Sequence, residues 1–404
     1  MLPLDELRRV DAAEVFKGPH RAGTLARGEG PVRFTYDPDY LADGGPPVAT
    51  TLPLGPDPIS GTGAGAVPPF FAGLLPEGRR LAGLQRAVKT SADDELTVLL
   101  AVGGDAIGDV RVVPSGEQPA TVAPSVEVDD WTTVRFDDLL AQATGGGDRS
   151  AIPGIQDKLS AGTIAIPLGG GSGRAILKLD PPEYPHLVAN EAFFLEAARA
   201  SGLDVASSVV VHDATGRPGL LVSRFDRMLD GDTVMALAQE DACQVLGRYP
   251  ADKYRVSTEL VVTALTGVAG APVVAARDLV RQVAFAYLIG NGDAHAKNFS
   301  IVRVDDEWRV SPAYDVLSTH PYGDHTMALP VNGKQREDIG RADLLALGAA
   351  VALPARAVER SIDQLLDRSD GWLDRLNELP FDERRISRLR ASVRYRRDRL
   401  AVID

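Results

Sequence analysis

The chain has 404 residues and a formal net charge of −13, with 44% hydrophobic and 25% charged residues. That length carries two or three domains with full cores, and that balance excludes a disordered or fibrous protein. A single cysteine, Cys243, excludes an intramolecular disulfide and a cysteine-rich zinc site, and a pI of about 5.0 argues against a chain that grips DNA by itself.

The first twenty residues mix acidic and basic groups without a continuous apolar run, so they do not read as a secretory signal. Residues 260–276, the most apolar stretch, are interrupted by Thr, Gly and Pro and fall short of a bilayer span. No membrane partner and a cytoplasmic location are therefore expected. Residues 1–113 read as an α+β module, with a strand-like run at 32–36 and a helical one at 93–100. Residues 114–129, rich in Pro, Ser and Gly, read as a polar linker.

Residues 130–225 read as a smaller, strand-rich lobe. Gly145-Gly146-Gly147 leads into Ser150-Ala-Ile-Pro153-Gly154-Ile155-Gln156-Asp157-Lys158, which lies where a phosphate-covering loop belongs; a Pro-Gly turn between strands explains it equally well. Residues 164–168 and 175–179 flank a glycine-rich tip and predict a β-hairpin. Only seven lysines (17, 89, 158, 178, 253, 297, 334) stand among the 43 basic residues, so the remaining lysines invite a reason. Lys178 sits in an apolar strand-like run, Pro181-Pro182 breaks the chain, and a helix opens around Asn190-Glu191. A kinase needs a strand lysine for the α- and β-phosphates, held by a glutamate from the following helix, and Lys178 with Glu191 fits that order. A strand-end lysine in solvent and a glutamate on a solvated helix face are the alternatives.

From residue 226 to 404 the apolar spacing predicts a helical larger lobe, as at Leu279-Val280, Val283-Ala284 and Tyr287-Leu288. Within it Gly292-Asp293-Ala-His295-Ala296-Lys297-Asn298 places an aspartate and an asparagine five positions apart, just before a strand-like run. That is the spacing of a phosphotransferase loop, in which the aspartate accepts the proton of the attacking hydroxyl and the asparagine binds magnesium. Residues 300–304 and 308–310 predict a hairpin that ends at Pro312-Ala-Tyr314-Asp315, and Asp315 is placed where kinases carry a second magnesium-binding aspartate. Singly, each aspartate reads as a turn residue or helix cap. The arginines from 384 to 399 predict a solvated helix paired with Asp382, Glu383 and Asp398, with contact to DNA or a protein partner as the alternative.

Several signatures in one order resemble the HipA family of toxins, the serine/threonine kinase half of bacterial type II toxin–antitoxin pairs. They are Phe70-Phe-Ala-Gly-Leu-Leu75-Pro-Glu-Gly78, Val102-Gly-Gly-Asp-Ala-Ile-Gly108, Gly154-Ile-Gln-Asp-Lys158, Ile176-Leu-Lys178, Asn190-Glu191, Arg224-Phe-Asp-Arg227, Gln239-Glu-Asp-Ala-Cys-Gln244, the 291–298 loop and Pro312-Ala-Tyr-Asp315. The resemblance implies an α+β, bilobal protein-kinase-like fold with an extra N-terminal α+β module and a helical C-terminal lobe. It implies ATP and Mg2+ as cofactors, with Asp293 as proton acceptor and Asn298 and Asp315 as metal ligands. It assigns phosphate contact to Pro153, Gly154, Ile155, Gln156, Asp157 and Lys158, and phosphate pairing to Lys178. An adenine hinge falls on Ser223-Arg224-Phe225, and further nucleotide contacts fall on His295, Ala296, Lys297, Asn298, Tyr314 and Asp315.

Family members often carry an inactivating autophosphorylation serine three residues before the phosphate-loop glycine; here Ala151 stands there and Ser150 one step earlier. Ser150 is thus a candidate acceptor or a plain turn residue. The resemblance also implies a protein substrate such as an aminoacyl-tRNA synthetase, growth arrest, a HipB-like helix-turn-helix antitoxin, and DNA contact only through that antitoxin. A small-molecule phosphotransferase of the aminoglycoside or choline kinase kind shares the Gly-Asp-x-x-x-x-Asn spacing, and a non-catalytic nucleotide-binding corepressor is the third reading.

Overall fold

The computed structural model describes residues 2–91, 93–119, 128, 130–143, 164–168, 175–231 and 233–402. The expected phosphate loop, Ser150 and the glycine-rich hairpin tip lie outside the described residues. The chain opens with a five-stranded antiparallel sheet built from β1 (Ala12–Lys17), β2 (His20–Ala26), β3 (Arg33–Tyr36), β4 (Ile59–Ser60) and β5 (Val110–Pro114), in the order β4-β3-β2-β1-β5. Ala13 and Val15 of β1, and Phe34 and Tyr36 of β3, are buried at two-residue spacing, as a half-covered sheet requires. Helices α1 (Pro38–Ala42), α2 (Pro69–Gly73), α3 (Gly78–Ala87) and α4 (Glu95–Val102) accompany it. Asp94 starts α4 by accepting the Thr97 N–H at 3.2 Å, and the Phe71 ring of α2 meets Phe34 at 5.3 Å between centroids.

After α5 (Phe136–Ala143) comes a four-stranded antiparallel sheet of β6 (Ile164–Leu168), β7 (Ala175–Leu179), β8 (Ser208–His212) and β9 (Pro218–Ser223), in the order β6-β7-β9-β8. The predicted hairpin is the β6–β7 pair, with Lys178 opposite Ala165 on one side and Leu220 on the other. Helix α6 (Leu187–Ala200) follows β7, its entry turn held by Asp180, whose carboxylate accepts the His186 and Val188 N–H groups at 3.0 and 2.7 Å. A buried aspartate, Asp213, knots the β8–β9 turn: it accepts the Thr215 N–H and hydroxyl, the Arg217 N–H and the Phe136 N–H that opens α5. Burial works against its charge, but the Thr215 hydroxyl and these N–H groups prevail and bring its pKa down to about 2. Asp213→Ala orphans four donors and should cost about 2–3 kcal/mol in urea denaturation at neutral pH. Because the folded-state pKa is depressed, that difference should hold above the ordinary aspartate range and fade as the pH falls from there toward 2.

The segment from residue 226 does not turn helical at once. It first makes a hairpin of β10 (Arg227–Asp230) and β11 (Thr233–Ala236), then β12 (Gln239–Asp241), which joins β13 (Ser300–Val304) and β14 (Glu307–Val310) in a three-stranded sheet. Asp305 and Asp306 close the predicted β13–β14 hairpin with left-handed backbones, φ 51° and 63°, as a two-residue turn demands. The helical part comprises α7 (Ala242–Val245), α8 (Thr258–Val268), α9 (Pro272–Ile289), α10 (Arg341–Ala350), α11 (Ala355–Leu373) and α12 (Glu383–Ala401). Helix α9 is the buried spine, with Leu279, Val280, Val283, Tyr287, Leu288 and Ile289 all in the core. Among the described residues no helix is long and apolar enough to cross a membrane.

Helix α12 corrects the solvated-helix expectation. Ile386, Leu389, Val393, Arg396 and Leu400 form one buried stripe at helical spacing, and Arg396 has no exposed surface. Its guanidinium donates to the Tyr287 carbonyl at 2.7 Å and the His325 carbonyl at 2.9 Å, while Arg385 pairs with Asp382 in the expected exposed manner.

Candidate active site

Helix α9 ends on Gly290 in the left-handed conformation, φ 68° and ψ 53°, which releases the chain into the 291–298 loop. Gly292 is required by space: a Cβ there would lie 2.5 Å from Asp324 Oδ2 and 2.7 Å from the Thr326 carbonyl. Its N–H donates to Thr319 Oγ1 at 3.0 Å, and Thr319 also bonds the Gly290 carbonyl, so the loop rests on the segment that follows Asp315. Asn291 spans the same junction, accepting the Asp293 N–H at 3.1 Å and donating to the Asp315 carbonyl at 3.2 Å.

Asp293 is buried at 7% exposure, and Tyr254 donates its hydroxyl to Oδ1 at 2.5 Å. The Tyr254 ring also meets the His295 ring edge-on at 4.9 Å, so one tyrosine sets both the aspartate and the histidine. Asn298 closes the loop: its amide oxygen accepts the His295 N–H at 3.0 Å, and its amide nitrogen donates to Asp315 Oδ2 at 3.0 Å. The nitrogen of Asn298, not its oxygen, therefore faces the aspartate, and the oxygen keeps a second lone pair beyond His295.

Asp315 holds φ 54°, a left-handed backbone that costs little only for Gly, Asn and Asp. Its carboxylate receives the Lys178 ammonium from β7 and the Asn298 amide from the loop. Lys178 also donates to Glu191 Oε1 of α6 at 2.6 Å. Burial disfavours the Lys178 charge, but Asp315 and Glu191 more than offset it and lift its pKa above the ordinary lysine range. Neighbouring Asn190 locks α6 onto the same segment, donating to the Ser318 carbonyl at 2.8 Å and accepting the Ser318 N–H at 3.0 Å. Lys178, Glu191, Asn298 and Asp315 thus meet in one cluster built from β7, α6, the loop and the post-hairpin segment.

The remaining expected residues fall in different places. Tyr314 stacks obliquely on Phe225, centroids 5.5 Å apart, and its hydroxyl bonds the Lys297 carbonyl and Ser300. Ala296 is buried and donates its N–H to the Lys253 carbonyl at 3.0 Å. Lys297 turns its ammonium away from Asp315, to Asp241 at 2.7 Å and the Gly73 carbonyl of α2 at 3.1 Å. Ser223 ends β9, its N–H donating to the Ser207 carbonyl. Arg224 reaches Asp226, Asp105 and the Ala106 carbonyl, so its side chain joins two parts of the chain rather than the cluster. Tyr254, Asn190 and Asn291 were not singled out as site residues from sequence; Asn190 and Asn291 stood inside the motifs, whereas Tyr254, 39 positions before Asp293, carried no local signal.

A hard divalent cation suits the donor set of Asp315 and Asn298, a carboxylate and an amide carbonyl, both oxygens. A lysine, a helix glutamate and two oxygen-donor side chains in one cluster, with a buried aspartate on the same loop as Asn298, are residue types that phosphoryl transfer uses for position and charge.

Residues 13–113 match the model of the HipA N-terminal domain, and residues 150–373 that of the HipA-like C-terminal domain. A putative kinase of Sinorhizobium fredii, Y4mE, is 31% identical over 390 residues, covering 90% of this chain and 92% of that protein. The serine/threonine-protein kinase toxin HipA of Shewanella oneidensis is 29% identical over 304 residues, 69% of each chain. A solved Shewanella oneidensis HipA, in complex with HipB and its operator DNA, superposes with a TM-score of 0.77 at 22% identity, covering 96% of this chain and 97% of that one. That likeness establishes the α+β fold, and the two domain matches with the relative at 31% identity establish that this chain belongs to the HipA family.

Proposed function

We propose that this chain is an ATP-dependent serine/threonine protein kinase acting as a HipA-like toxin. The observation that carries the reading is the shared carboxylate of Asp315, which receives Lys178 from the small-lobe sheet and Asn298 from the Asp293 loop. In this reading Asp293 orients the incoming hydroxyl and takes its proton, and Tyr254 fixes the direction of that carboxylate. Lys178 pairs the α- and β-phosphates, exchanging its bond to Asp315 while Glu191 retains it. Asn298 and Asp315 would hold magnesium, which when bound neutralises charge on the β- and γ-phosphate oxygens.

Residues 153–158 are assigned to the phosphates, residues 223–225 to adenine through their backbone, and His295, Ala296 and Tyr314 to the opposite wall. Lys297 would serve from behind, by fixing the loop against α2. Ser150 remains the proposed modification site. Units at 1–113, 130–225 and 226–404, with a linker at 114–129, are proposed as the domains. A HipB-like antitoxin that carries the DNA reading, a translation component as target, growth arrest as outcome and a cytoplasmic location complete the proposal. The HipA N-terminal domain match favours this over a small-molecule kinase.

The deciding experiment incubates purified protein with γ-labelled ATP, magnesium and a cell extract. Label should enter a discrete protein, and Asp293→Ala should lower the rate by about 10²–10⁴-fold, the usual contribution of a general base. Label confined to small molecules would move the chain to the metabolite kinases, and Asp293→Ala labelling at the wild-type rate would overturn the assignment.

A further inference from the structure

A second cluster of ligand-type side chains lies beneath the Asp293 loop. His320 begins a one-turn 3-10 segment (His320–Tyr322), His325 follows five residues later, and Glu337 stands in the loop before α10. One ligand atom from each lies within 4.8 Å of the others, and the two imidazole rings meet at 4.2 Å between centroids. His320 is 9% exposed, and its buried Nδ1 has no hydrogen-bond partner among the described residues, a costly condition for a ring nitrogen. His325 is exposed, so the cluster opens to solvent on one side.

The surroundings position these groups. Ser392 of α12 donates to Glu337 Oε1 at 3.2 Å, Tyr287 donates to the Glu337 carbonyl at 3.0 Å, and Arg396 pins the His325 carbonyl. Arg396 and Arg388 are near enough to His320 to oppose a cation, while Glu337 and Asp324 are near enough to Arg396 to offset its charge. The Arg396 guanidinium is committed to two carbonyls.

We propose that His320, His325 and Glu337 form a site for a zinc-class divalent transition metal, separate from the oxygen-donor pair Asn298 and Asp315. Two imidazoles and one carboxylate are ligands that borderline first-row dications prefer and magnesium does not. Bonds of about 2.0–2.2 Å to each ligand would draw the three groups together and leave a position for water. The ion would tie residues 320–325 to the loop before α10. Thr319, the residue before His320, accepts the Gly292 N–H, so occupancy would stiffen the support of the Asp293 loop.

The test uses the full chain stripped with EDTA and dialysed, titrated with zinc chloride by calorimetry, and with cobalt(II) for its visible spectrum. One equivalent should bind, cobalt should give the bands of a low-coordinate nitrogen and oxygen site, and zinc should raise the thermal midpoint. His325→Ala, at an exposed position whose loss should leave the fold in EDTA intact, and Glu337→Gln should each weaken zinc by at least about 100-fold, no less than loss of an outer-shell partner costs. His212→Ala, on exposed β8, should bind as the wild type. Absence of stoichiometric binding, wild-type affinity in both His325→Ala and Glu337→Gln, or equal loss in His212→Ala would each overturn the proposal.

Discussion

Asp315→Asn should lower phosphoryl transfer by at least about a thousandfold, some 4 kcal/mol of barrier, while leaving the chain folded. One carboxylate here serves elements from both lobes: Lys178 of β7 and Asn298 of the loop. An asparagine keeps the volume and tolerates the left-handed backbone at φ 54°, so the segment stays in place. It loses the negative charge that a divalent cation would need and that Lys178 now meets. The fold should survive because Lys178 retains Glu191 at 2.6 Å and the Asn190–Ser318 pair still docks α6. Single-turnover rates with labelled ATP, beside thermal melts of both proteins, test this. A variant within a few-fold of the wild-type rate would remove Asp315 from the chemistry; a variant that melts much earlier would make it a structural residue.

The parts of this site that were legible in sequence are those whose spacing is local. The interval from Asp293 to Asn298, the hairpin leading to Asp315 and the step from Lys178 to Glu191 each sit within one or two elements, and Lys178, Glu191, Asn298 and Asp315 have their side chains in contact, while Asp293 bonds Tyr254. Tyr254 was not legible, because its bond to Asp293 spans 39 residues from a segment without periodicity. Lys297 shows the reverse: its place in the motif suggested nucleotide contact, yet two long-range partners, Asp241 and the Gly73 carbonyl, claim the ammonium. Arg396 was hidden by composition. Eight arginines between 384 and 399 read as a solvated face, although the spacing of Ile386, Leu389, Val393 and Leu400 marked position 396 as part of the buried stripe. The β10–β11 hairpin was missed because its apolar residues, Met228, Leu229, Val234 and Met235, stay exposed and give no core-facing alternation.

Asp226→Ala should be the most destabilising single change at the junction between the first sheet and β9, costing about 3–5 kcal/mol. The Asp226 carboxylate is 3% exposed and accepts Arg224 Nη2 and Arg227 Nη1, each at 2.7 Å, and the Gly108 N–H at 2.9 Å. Without it, two buried guanidinium groups would share Asp105 and the carbonyls of Ala106 and Gly108. Gly108 cannot retreat freely, since its backbone is left-handed at φ 85° and Gln239 backbone atoms would lie 3.3–3.4 Å from any Cβ there. Burial pushes the Asp226 pKa up, but the hydrogen bond from Arg224 and the charges of Arg224 and Arg227 outweigh it and hold it below the ordinary carboxylate range. The stabilisation is therefore present above the unfolded-state value of about 3.9 and lost as the pH falls through the folded-state value. Urea denaturation of wild type and variant at neutral pH should show the full gap, and a series below about pH 4 should show it closing as Asp226 takes up its proton. A gap under about 1 kcal/mol at neutral pH would place this network among exposed ion pairs of little worth. A gap that persists unchanged in acid would assign the cost to lost packing instead. Either outcome would separate the junction from the charge that holds Arg224, and with it the end of β9, against the amino-terminal sheet.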